Sequence, residues 1–119
     1  MTCKSICLLL VCLVLSSCVN DSTIDLIEII PGAPATYSGN VKSIIDNNCL
    51  ACHGTVPANG APMSLTTFQN VKDAVANRGL IGRISSDEST SGHMPLGGPR
   101  LPQNLIDIII QWQADGFPE

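Results

Sequence analysis

The stretch Cys49-Leu50-Ala51-Cys52-His53 constrains this 119-residue chain more than any other. Two thiols three residues apart lie about one helical turn from each other, and a histidine follows directly on the second. The other cysteines, Cys3, Cys7, Cys12 and Cys18, all fall near the start of the chain, so the rest has no framework of paired cysteines to brace it. With one Trp, one Tyr and two Phe, a domain of about 80 residues struggles to bury enough apolar surface on its own. Such a chain needs something large and apolar at its centre.

C-x-x-C-H is the pattern for covalent attachment of a c-type haem. The chemistry asks for two thiols one turn apart, so that both add across the haem vinyl groups, and for a histidine that reaches the iron from the same side. On this reading Cys49 and Cys52 attach one haem c. His53 is then the proximal iron ligand through one ring nitrogen, while the other donates to a backbone carbonyl. Three rival readings stand beside it. A thioredoxin-like pair wants a βαβ setting, which the surrounding pattern lacks. A zinc site would need Cys49, Cys52, His53 and distant His93 together. A plain disulfide between Cys49 and Cys52 leaves His53 without a purpose.

Haem iron takes a sixth ligand from the opposite face. Met94 is the preferred candidate, because Ser91-Gly92-His93-Met94-Pro95-Leu96-Gly97-Gly98 is a glycine- and proline-rich loop with no helical period, suited to folding closely over a flat ring. Met63 precedes a helix start with core-type spacing, which favours packing as its role. Two further readings give the sixth position to His93 or leave it open. Methionine ligation raises the potential relative to bis-histidine, and a filled position keeps small ligands off the iron.

Upstream, Lys4 precedes an almost continuous apolar run over residues 6–15, the pattern of a signal peptide and too short for a spanning helix. Leu15-Ser16-Ser17-Cys18 resembles the bacterial lipobox, which implies cleavage after residue 17 and lipidation of Cys18. The expected organisation is a signal peptide over residues 1–17, a lipidated cysteine and tether over 18–36, and a haem domain over 37–119. Within the tether, residues 23–30 also fit a short strand. Loss of Lys4 leaves five basic against ten acidic side chains. That balance, a pI near 4.9 and 3% aromatic residues exclude a nucleic-acid footprint.

Ser38 as a cap and Val41, Ile44, Ile45 and Asn48 as a stripe predict a first helix running into the motif. A Thr66-x-x-Gln69 capping box, the face Leu65, Phe68, Val71 and Val75, and the stop Asn77-Arg78-Gly79 predict a second. Residues 80–84 add a turn. Pro102 and Gly116 bound a last helix carrying Leu105, Ile106, Ile108, Ile109, Ile110 and Trp112, where the bounding residues and the i, i+4, i+7 spacing outweigh the β-branched run. The expected fold class is all-α.

With Cys49-x-x-Cys52-His53 near the front, a Met94-Pro95 loop and an apolar terminal helix, residues 37–118 resemble the small mono-haem cytochrome c domains of the class I fold, in the form carried on bacterial lipoproteins. The resemblance implies three to four helices around one covalent haem. It also implies a first and a last helix that cross, so that Ile44 and Ile45 meet Ile108, Ile109 and Trp112. The carbonyl of Pro62, or of Pro57, would orient His53. The expected function is electron transfer without bond-making, at the periplasmic face of a Gram-negative envelope, with a lipid anchor at Cys18 and redox proteins as partners. Arg83 and Arg100 are candidates for pairing with the haem propionates. The alternative is an enzyme or sensor whose iron binds a small ligand at an open sixth position.

Overall fold

The structure, a computed structural model, describes residues 33–119. The signal segment 1–17, Cys18, the strand considered for residues 23–30 and most of the 18–36 tether lie outside the described residues. Within them the elements are all helical. A π-helical turn, Tyr37–Val41, runs into α1, Lys42–Asn48. The motif forms α2, Leu50–His53. Then come α3, Phe68–Asn77, α4, Leu80–Ser85, and α5, Gln103–Ala114. The expected count of three to four helices is thus exceeded. The apolar stripe joins α1 to the motif, but Cys49, at φ −120° and ψ −33°, breaks the run and leaves α2 as a separate turn.

Both expected N-caps move by one or two residues. Thr36, not Ser38, caps the first turn, its Oγ1 accepting from the Gly39 amide at 3.1 Å. Thr67, not Thr66, caps α3, its Oγ1 accepting from the Asn70 amide at 3.2 Å. A cap needs extended backbone, and Thr67 has it, at φ −126° and ψ 154°. Thr66 instead pairs its hydroxyl with that of Ser64. Between α3 and α4 the chain turns on Gly79 at φ 68°, a left-handed conformation that side chains with a Cβ rarely adopt.

Val41, Ile44 and Ile45 share one core with Val71, Ala74, Val75, Leu80, Ile84, Leu101, Ile106, Ile108, Ile109 and Trp112. Each large aliphatic side chain buried there contributes about 1.5–3 kcal/mol. Trp112 is fully buried. Its ring centroid lies 5.9 Å from Tyr37, 5.9 Å from Phe68 and 4.9 Å from Phe117. Both α4 and the π turn, the latter through Tyr37, pack on α5, while Ile44 and Ile45 lie in the same core as Ile108 and Ile109. The carbonyl of Pro118 accepts from both the Trp112 Nε1 at 2.8 Å and the Tyr37 amide at 2.9 Å, which ties the end of the chain to the start of the helical region. No helix among the described residues is long and apolar enough to cross a membrane.

Candidate functional site

Helix α2, the loop that follows it, α4 and the loop between α4 and α5 line a cavity of about 560 Å³, within the ordinary range for small-molecule sites. Cys49, Cys52 and His53 line it together with Met63, Met94, Leu65, Leu80, Ile84 and Leu101. The motif and the preferred methionine, 41 positions further along the chain, thus meet at one space.

His53 is buried and held at two points. Its Nδ1 donates to the carbonyl of Met63 at 2.8 Å, and its own carbonyl accepts from the Leu65 amide at 2.8 Å. Nε2 has no protein partner among the described residues, which leaves one ring nitrogen available at the cavity wall. The orienting carbonyl belongs to Met63, not to Pro62 or Pro57. Two tight contacts use up the intervening loop, Ala58 N to Cys52 O at 2.8 Å and Ala61 N to Ala58 O at 2.9 Å, so the carbonyl that reaches the ring falls one residue later.

Cys49 and Cys52 are free thiols. Burial pushes the Cys49 thiol up to about 11, the opposite of the depressed value that an exchange-active Cys-x-x-Cys pair requires. Cys52 is half-buried and accepts a hydrogen bond from the Asn59 side-chain amide at 3.4 Å. The disulfide and thioredoxin-like readings find no support in this arrangement. Nor does the zinc reading, since no three His, Cys, Asp or Glu side chains converge among the described residues.

The two methionines occupy different places relative to His53. Met63 is bound to the histidine through its own carbonyl, on the His53 side of the site. Met94 enters from the loop between α4 and α5, its amide donating to the carbonyl of Arg83 at 3.0 Å. His93, next to it, does not line the cavity. Its ring is 4% exposed, with Nδ1 at 3.0 Å from the Ser86 carbonyl oxygen and Nε2 at 3.2 Å from that of Gly98. The neutral ring has one N–H to donate to one of these two carbonyls, and it sits between them in the loop, outside the lining of the cavity.

Arg100 is committed elsewhere as well. It reaches the Ser85 and Leu101 carbonyls and the Gln103 side chain, and does not line the cavity, whereas Arg83 does. The lining also includes Asn48, at the end of α1, and Asn59 and Arg78, which meet the site through the turns at residues 59–60 and 79. In comparisons with protein-family models, with curated proteins and with solved structures, nothing matches this chain.

Proposed function

We propose that the chain is an electron carrier with a small cytochrome c-like fold and one covalent haem c. The observation that carries this reading is the conjunction of the motif with its surroundings. His53 is oriented through Nδ1 by a backbone carbonyl, and it shares a cavity of about 560 Å³ with two free thiols and with Met94. The residues present fit the group: an apolar wall for a flat ring, thiols for two thioethers, an uncommitted imidazole nitrogen and a thioether sulfur for the iron. The chemistry that haem c supplies when bound is a one-electron Fe(III)/Fe(II) couple, tuned by its axial ligands and its burial.

The protein's part is to hold and shield. Cys49 and Cys52 fix the ring to α2, and the Met63 carbonyl sets the rotation of the His53 imidazole and increases its basicity as a ligand. Leu65, Leu80, Ile84 and Leu101 keep water from the cavity interior, while Met94 fills the position a small molecule would otherwise take. In the cell the domain is tethered by lipid on Cys18 at the periplasmic face of a Gram-negative envelope. Its acidic surface steers partners with basic docking patches, by an attraction that weakens with salt.

The test is a pair of measurements on protein expressed with haem-maturation machinery. Denatured mass reports covalent haem, and oxidised and dithionite-reduced visible spectra report the ligands. Covalent haem, sharp reduced bands and a ferric methionine-to-iron charge-transfer band are expected. Covalent haem without that band, and with carbon monoxide binding to the reduced protein, would replace the carrier by a ligand-binding haem protein. A haem-free mass would refute the reading.

A further inference from the structure

Ten side chains of this chain are acidic and six basic, yet the cavity reverses that balance. Arg78 and Arg83 line it, and no Asp or Glu among the described residues does. The left-handed turn at Gly79, between α3 and α4, brings two arginines five residues apart in sequence to the same space. Neither guanidinium is fully used by the protein. Arg78 pairs its Nε with the Asp73 carboxylate, and Arg83 donates from Nη1 to the Gly92 carbonyl at 3.1 Å. Among the described residues, Nη1 and Nη2 of Arg78 and Nε and Nη2 of Arg83 have no protein acceptor. Guanidinium carries five N–H donors in a rigid fork suited to carboxylates. A mainly apolar cavity with two such forks and no acid in its lining suits a ligand that combines an apolar body with two anionic groups.

Resting on the haem reading, we propose that Arg78 and Arg83 are the carboxylate-binding edge of the cavity and receive the two propionates of the ring. They act as positioning residues. They select which way round the ring enters, and their charge bears on the iron. A cation beside the ring disfavours the oxidised form, which carries one more positive charge, and so raises the reduction potential. It also favours the ionised carboxylate, and so lowers the pH at which a propionate titrates. Three protein charges bear on these groups: Arg78, Arg83, and Asp73, which partly neutralises Arg78.

The experiment is spectroelectrochemistry of the covalent holoprotein from pH 4 to 9, for the parent and for R78Q, R83Q, R83K and D73N. R78Q and R83Q should each lower the midpoint potential and move the break in its pH dependence to higher pH. R83K should recover most of the parent behaviour, because a point charge is restored. D73N should move both quantities the other way. Arg83 also holds the Gly92 carbonyl, so R83Q can disturb the Met94 loop; R78Q makes no such contact and decides the matter by itself. Covalent haem in the denatured mass, with potential and break unchanged in R78Q, would overturn the arginine assignment and leave the haem reading standing. A parent protein without covalent haem would overturn both.

Discussion

Arg83 grips the segment that carries Met94: its carbonyl accepts from the Met94 amide at 3.0 Å, and its guanidinium donates to the Gly92 carbonyl at 3.1 Å. The approach is close enough that a Cβ on Gly92, itself at φ +81°, would lie 2.8 Å from the Arg83 Nη1. The methionine is thus presented to the cavity by a loop fastened to α4 on both sides of His93.

On the haem reading proposed above, Met94 is the residue whose loss should open the iron. In M94A the ferric methionine charge-transfer band should disappear and the reduced protein should bind carbon monoxide, with covalent haem retained. M63L should leave the band in place, because Met63 serves His53 through its carbonyl, which the substitution keeps. A band that survives M94A and vanishes in M63L would exchange the two assignments.

His93 is a brace. Replacing it by alanine removes the ring's hydrogen bond to one of the Ser86 and Gly98 carbonyls in a buried place, at a cost of about 1–3 kcal/mol. The urea midpoint of the holoprotein should fall accordingly, while the charge-transfer band of the folded fraction stays. Unchanged stability together with a lost band would make His93 a ligand instead.

Trp112 has no exposed surface, and its ring meets Tyr37, Phe68 and Phe117. W112A should destabilise the protein by about 3–5 kcal/mol, the usual range for a large buried aromatic ring. W112F should lose less, since it keeps most of the ring contacts and gives up the Nε1 hydrogen bond to Pro118. Chemical denaturation followed by far-ultraviolet circular dichroism checks both, and equal losses would show that the hydrogen bond, not the packing, dominates.

Tyr37 is the sole tyrosine, so its ionisation is visible without interference from another. Burial raises its phenol above the ordinary value of 10.0; Lys42 opposes this and Asp46 adds to it. A raised value means that the folded state binds this proton more tightly than the unfolded chain does. The corresponding stability is therefore full below pH 10 and is lost as pH rises through the raised value. The tyrosinate absorbance change near 295 nm should have its midpoint above 10.0, and a midpoint at or below it would contradict the packing of Tyr37 against Trp112 and Phe68.

The helices were legible in the sequence because period and punctuation are local. Val41, Ile44 and Ile45, then Val71 and Val75, then Ile109 and Trp112 bury as their spacing predicts, while Phe68 and Leu105 on the same stripes are half-buried. Gly79 and Gly116 take the left-handed conformation of helix stops. The motif at Cys49, Cys52 and His53 was equally plain, since its residues lie within one stretch of chain. Capping positions slipped because neighbouring residues, Thr66 and Thr67 among them, carry the same side chain, and only backbone conformation selects between them.

What the sequence determined by itself was therefore the all-α class and the C-x-x-C-H turn, both properties of residues near one another along the chain. Tertiary structure decided the rest: that Met63 supplies the carbonyl for His53, that His93 lies between two loop carbonyls and outside the cavity lining, and that Arg78 and Arg83 reach the cavity while Arg100 does not. Each of these depends on where a loop or turn places a polar atom in space. Hydrophobic periodicity carries no information about that, because the position is set by packing between elements far apart in the chain.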